Sequence, residues 1–165
     1  FTPPEINYSG FRQILDVDMK NDLPKYLNKY SKNSIKNIKE IIDFNLEDSL
    51  RRAPYGQGIF KSIMSNNTTG LEISEIKNRI KIEGKRYFDE AINKYDLDAI
   101  LSINNYHASY AAGAYYPCLT IPMGYRESGV PSNLTFIGPS YSEEKLYQLG
   151  YAFEKETNFR IPPFN

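Results

Sequence analysis

Histidine and cysteine are almost missing from this chain: His107 and Cys118 are the only ones in 165 residues. A single cysteine excludes an intrachain disulfide and any cysteine-rich zinc site, and one histidine cannot complete a metal's ligand set beside it. Charge of one sign is also lacking. Twenty basic residues balance twenty acidic ones, so no global field draws the chain to nucleic acid or to an acidic membrane surface. No apolar run reaches the ~18 residues that would cross a bilayer, and no secretory leader pattern opens the chain. The phosphate-cradling patterns G-x-x-x-x-G-K-[ST] and G-x-G-x-x-G do not occur, nor does the G-x-S-x-G of a nucleophile elbow. The expectation is a cytoplasmic protein without a cofactor or a metal, and without nucleic-acid or membrane partners. Tryptophan is absent and tyrosine occurs 14 times.

What is present is the pattern of one α/β domain. Residues 1–10 read as an irregular lead-in, and 1–165 as a single domain large enough for a real core. Phe11 to Lys29 has apolar residues near helical spacing, interrupted by Pro24, which should break or restart a helix. Ser34 is a good N-cap for a helix with Ile35, Ile38, Ile41 and Ile42 on its apolar face. Gln57 to Met64 reads as a short helix and Asn66 to Gly70 as a loop. Ser74 to Tyr95 is the longest periodic segment, with Ile76, Ile80, Tyr87, Phe88, Ala91 and Ile92 roughly on one face.

The character then changes. Asp98 to Ile103 and Cys118 to Tyr125 are short apolar runs that read as buried strands. Asn133 to Ile137 follows the turn Arg126 to Pro131 and forms a hairpin with the second run. A last helix carries Leu146, Leu149, Phe153 and Thr157 on one face, and Arg160-Ile161-Pro162-Pro163 stops it. Helices, strand, short helix, two strands and a helix make a mixed β-sheet flanked by helices, thin enough that its edge needs another strand or a cover.

Each candidate site has a plainer alternative. A cysteine nucleophile needs thiolate character and exposure, and Cys118 within Cys118-Leu119-Thr120-Ile121 reads as core packing. No serine has an evident base beside it. Gly138 before the last helix resembles a phosphate cradle, but Glu143 and Glu144 in the first turn would repel an anion. Asp96 and Asp98 suit a polar turn as readily as paired acid–base chemistry. Lys81, Glu83, Lys85 and Arg86 suit a solvated helix face, and Arg51-Arg52 a surface. His107 lies just past a strand's C-terminal end, where ligands bind in α/β sheets. Its loop therefore supplies the substrate-binding candidates Asn104, Asn105, Tyr106, His107 and Tyr110. The alternative for His107 is an imidazole that only caps or packs.

An ordered series of short motifs then accumulates. Tyr55-Gly56-Gln57-Gly58-Ile59-Phe60, Thr68-Thr69-Gly70-Leu71, Asp98-Ala99-Ile100-Leu101, Ala112-Gly113 to Pro117, Leu119 to Tyr125, Gly129-Val130-Pro131, Phe136-Ile137-Gly138 and Tyr147 to Glu154 follow one another. Together they resemble the C-terminal third or so of the amidase signature family, from about Phe11 to Pro163. The resemblance implies a partial amidase-signature fold and a C-terminal portion of a carbon–nitrogen hydrolase. In the family a Ser–Ser–Lys triad does the catalysis, in a Gly/Ser-rich N-terminal segment that this sequence does not contain, so no residue here inherits a catalytic role. The implied partners are that N-terminal catalytic portion and a small-molecule amide, with the loop Asn104 to Tyr110 where members line the pocket. Two departures stand out: Ile103 replaces a common proline, and Ser132-Asn133 a common Val-Gly. The alternatives are a standalone binding module that lost catalysis and part of a tRNA-dependent amidotransferase subunit.

Overall fold

A computed structural model describes residues 4–162. The readings placed on Phe1, Thr2, Pro3 and Pro163 lie outside the described residues. The elements are α1 (Phe11–Tyr30), α2 (Ile38–Leu46), α3 (Ser49–Arg52), α4 (Gly58–Ser65), α5 (Gly70–Tyr95), β1 (Ile100–Ile103), α6 (Ala108–Ala114), β2 (Cys118–Tyr125), β3 (Pro131–Ile137) and α7 (Glu143–Thr157). Their order is the one read from the sequence. They fall into two compact units, Tyr8–Lys77 and the part from Asn78 onward with the segment ending at Asn7.

The first unit is helical. Ile14, Ile38, Ile63 and Ile73 are buried in it. Among them sits Asp16, only 2% exposed. It accepts a 2.8 Å hydrogen bond from Ser62 Oγ, and Arg12 Nε lies 2.8 Å from its other oxygen in an ion pair without hydrogen-bond alignment. A carboxylate is tolerated so deep only with such partners.

Three helix expectations change. Pro24 lies inside α1, which continues across it to Tyr30. Proline removes one i→i−4 hydrogen bond at roughly 3 kcal/mol, and helical residues on both sides keep the rest of the ladder. The start of α2 is set by Asn37, not Ser34. Asn37 is extended, its side chain accepts from Glu40 N at 3.0 Å and donates to Glu40 Oε1 at 2.7 Å, and Glu40 Oε2 takes Lys36 N at 2.6 Å. This reciprocal box satisfies two backbone amides, Glu40 N and Lys36 N, at once, so Ile35 is left outside the helix. Likewise α5 starts at Gly70 rather than Ser74, because Thr69 and Glu72 cap each other: Glu72 Oε2 accepts Thr69 N at 2.8 Å and Thr69 Oγ1 accepts Glu72 N at 3.3 Å.

The second unit holds an antiparallel sheet in the order β1-β3-β2. Ile100 faces Ile137, Ser102 faces Thr135, Cys118 faces Ile137 and Thr120 faces Thr135. Alternation therefore gives the sheet two faces. One carries Leu119, Ile121, Leu134 and Phe136, which pack with Leu146, Leu149 and Phe153 of α7. The helix lies close: a Cβ on Gly150 would come within 2.5 Å of Leu119 and Ile121 side-chain carbons. The other face carries Ile100 and Ile137, packed with Phe88, Ala111, Ala114 and Tyr116.

One face of β1 is not buried as expected. Leu101 is 56% and Ile103 54% exposed, because β1 is an edge strand and α7 covers the β2–β3 side of that face. Cys118 is exposed as well, contrary to the core reading. It shares a face with Thr120 at the β2 edge, while the neighbouring Leu119 and Ile121 take the inner positions.

Candidate functional site

The link from β1 to α6 begins with Asn104, whose φ of 52° is in the left-handed region. A short polar side chain can hold that conformation because it bonds locally. Asn104 N donates to Asn133 O at 2.7 Å, and Asn133 N donates to Asn104 Oδ1 at 3.0 Å. The side chain of Asn104 thus pins the turn to β3. Asn105 is exposed and accepts Ala108 N at 3.0 Å through its carbonyl. Tyr106 is 68% exposed. Of the five loop residues singled out, the fold brings two into one cluster, His107 and Tyr110.

That cluster has a third member from α5. Tyr87 stacks on the His107 ring at a 26° interplanar angle and 6.2 Å between centroids. Tyr110 meets both edge-on, 5.9 Å from His107 and 5.5 Å from Tyr87. Burial, and then the nearby Tyr110, push the Tyr87 phenol pKa up, so it stays neutral and donor-capable. Tyr87 also lines a cavity of about 350 Å³ with Ala91, Tyr95, Leu97 and Leu101. The lining is mostly apolar, as small-molecule sites tend to be. In the sequence Tyr87 stands only as part of a helical face; its place in the cluster comes from the packing of α5 against α6.

His107 is held from below. Ser102 Oγ lies 2.8 Å from His107 Nδ1. No serine has an evident base in the linear sequence; the β1–α6 turn supplies one across five positions. A serine beside an imidazole has the look of a nucleophile–base pair, but Ser102 is only 4% exposed, so its oxygen is shielded from any substrate carbonyl. Ser102 belongs instead to a row of hydroxyls across the three strands, Ser102, Thr135 and Thr120. Thr135 Oγ1 donates to the carbonyl of Asn104, so Thr120 must be the donor in its 2.8 Å bond to Thr135.

Next to the cluster, Tyr116 donates its hydroxyl to Asp89. Burial first, and this bond second, push the Tyr116 pKa well above the ordinary tyrosine value. Among the described residues no three His, Cys, Asp or Glu side chains gather as a metal-holding group, and no helix is long and apolar enough to cross a membrane.

Cys118 can be tested directly. The residue is exposed, yet partial burial of the thiol pushes its pKa up. Only the thiolate reacts, so alkylation by iodoacetamide at neutral pH is expected to be slower than that of a free cysteine. It should then accelerate with pH to a midpoint above the ordinary thiol value. A pH–rate midpoint below that of free cysteine would refute this.

Comparison with known proteins gives one consistent picture. No family model matches the chain. A protein of Arabidopsis thaliana named "Probable amidase" is 28% identical over 157 residues, which is 94% of this chain and 31% of the relative. The crystal structure of an amidase family protein from Bacillus anthracis str. Ames superimposes with a TM-score of 0.87 at 30% identity, over 98% of this chain and 33% of that one. A glutamyl-tRNA(Gln) amidotransferase subunit from Streptococcus suis is 51% identical over 43 residues, 26% of this chain and 9% of its own length. The chain thus spans about a third of the length of this Arabidopsis relative and of this Bacillus structure, each matched over nearly all of the chain.

Proposed function

From the premise that this chain is an amidase-signature-like segment, related to amidases over nearly its whole length, we propose that it forms the C-terminal portion of a carbon–nitrogen hydrolase. In this reading it completes the sheet of the longer protein and supplies one wall of the amide pocket, and it is not catalytic alone. The observation that carries the reading is β1. Among the described residues its outer edge pairs with no strand, Leu101 and Ile103 on it are exposed, and it leads straight into the His107–Tyr110–Tyr87 cluster. An apolar edge strand calls for a further strand or a cover, and ligand sites favour the loops at strand ends.

The pocket wall consists of Asn105, Tyr106, His107 and Tyr110, with Asn104 fixing the turn beneath them. The substrate is a small-molecule amide, the compartment the cytoplasm, and neither nucleic acid nor membrane takes part. A serine outside this chain would attack the amide carbonyl, expel the amine and leave an acyl-enzyme for water to hydrolyse. The test is amide hydrolysis by the 165-residue chain alone and by the longer protein carrying it. No turnover by the chain and turnover by the longer protein are expected; turnover by the chain alone would sink the reading.

The likeness to the amidotransferase favours a second reading, in which the amide is glutamine and the ammonia is passed on to a tRNA-bound acceptor. Glutaminase activity in the longer protein that rises when charged tRNA and a partner protein are added would select it over free hydrolysis.

A further inference from the structure

We propose that Ser102 is a positioning residue that locks His107 as the Nε2–H tautomer, so that the imidazole offers a hydrogen-bond donor to a neutral carbonyl oxygen. This deepens the pocket reading and, for the role of the donor toward substrate, rests on it.

The argument starts from the hydroxyl. Ser102 Oγ has His107 Nδ1 as its partner at 2.8 Å and no other among the described residues. At 4% exposure bulk water is not an alternative. A buried hydroxyl hydrogen left without an acceptor is costly. Its neighbour in the row does not take it: Thr135 Oγ1 donates to Asn104 O and receives Thr120. The Ser102 hydrogen therefore goes to Nδ1. Nδ1 accepts only when it carries no proton, which puts the ring proton on Nε2.

The opposite tautomer would have Nδ1–H donating to Ser102 and would strand the serine hydrogen in the sheet. Stacking on Tyr87 and the edge contact with Tyr110 fix the ring plane, so Nε2 keeps one direction as well as one protonation. With Nδ1 turned to a buried serine, Nε2 is the polar atom of the half-buried ring that remains for an outside group. An N–H there pairs with an acceptor, and the acceptor of an amide is its carbonyl oxygen.

His107 is the only histidine, so ¹⁵N-histidine labelling reports a single ring. In the 165-residue chain above the imidazole titration, the nitrogen spectrum should show Nδ1 as the unprotonated type and Nε2 as the protonated type. Ser102→Ala should convert this to a mixture of tautomers, and Ser102→Thr, which keeps the hydroxyl, should restore it. A dominant Nδ1–H form in the wild-type chain would overturn the proposal without touching the pocket reading. In the longer protein, Ser102→Ala should raise KM for a small amide about three- to ten-fold, the worth of one hydrogen bond, with kcat within about two-fold and Thr again restoring it. His107→Ala should do the same. An Nε2–H ring with KM unmoved by His107→Ala would overturn the donor role and the pocket wall together.

Discussion

Phe88→Ala is expected to lower the unfolding free energy by about 3–5 kcal/mol, the usual range for emptying a buried phenylalanine site. Phe88 is 0% exposed and, among the described residues, the largest fully buried side chain. It lies at the cluster on one face of the sheet: Tyr116 at 5.8 Å between rings, Tyr87 edge-on at 5.1 Å, and Ala111, Ala114 and Ile137 packed in the same group. Two of those neighbours are alanines on α6, too short to swing into the space. The lost ring therefore leaves a cavity instead of a repacked core. Urea unfolding followed by circular dichroism measures the change, with Tyr147→Ala, an exposed position on α7, as the control near zero. A loss below about 1 kcal/mol for Phe88→Ala would contradict this packing.

The second large effect comes from the opposite change, adding atoms where none fit. In α5, a Cβ on Gly84 would lie 3.1 Å from the backbone nitrogen of Ala114 and 3.2 Å from the carbonyl oxygen of Tyr110. Those are main-chain atoms and cannot rotate away. Gly84→Val is expected to cost about 1–3 kcal/mol, as overpacking does. It should also push α6 off α5. The start of α6 carries His107, so the same variant should loosen the Tyr87–His107 stack and blur the single tautomer. Gly84→Ala separates the two contributions. It gains roughly 0.5–1 kcal/mol of helix preference against a contact tight by a few tenths of an ångström, so its stability should stay close to that of the parent. Unfolding curves and the histidine nitrogen spectrum read both variants. A Val variant as stable as the Ala variant would show that the two helices are not in such close contact.

These sites show where the sequence speaks and where it falls silent. The strand Cys118–Tyr125 is legible to its observed ends, because Pro117 and the turn at Arg126 bracket an apolar run. The face of α7 is legible because Leu146, Leu149 and Phe153 repeat at helical spacing. Helix starts are not, since a cap is a local contest: Asn37 with Glu40 and Thr69 with Glu72 win by reciprocal bonding, which periodicity does not see. Cys118 and Leu101 are misplaced by the sequence pattern for a related reason. Alternation tells which residues share a face, but not how far a covering helix reaches across the sheet. In the candidate site, His107 and Tyr110 stand out by residue type and by position after a strand. Ser102 and Tyr87 do not, because one looks like a strand residue and the other like a helix face; only the turn and the α5–α6 contact bring them to the imidazole.

The outer flank of β1 has a consequence for handling the molecule. Among the described residues no strand pairs with the outer side of β1, and such an edge, carrying two large exposed aliphatic side chains, is a template for another strand. Net charge is zero, so copies meet without electrostatic repulsion. Solubility of the isolated chain should therefore be lowest near neutral pH, and aggregation should grow as concentration rises. Leu101→Lys should improve solubility more than Tyr147→Lys, which places the same charge at a somewhat more exposed helical position.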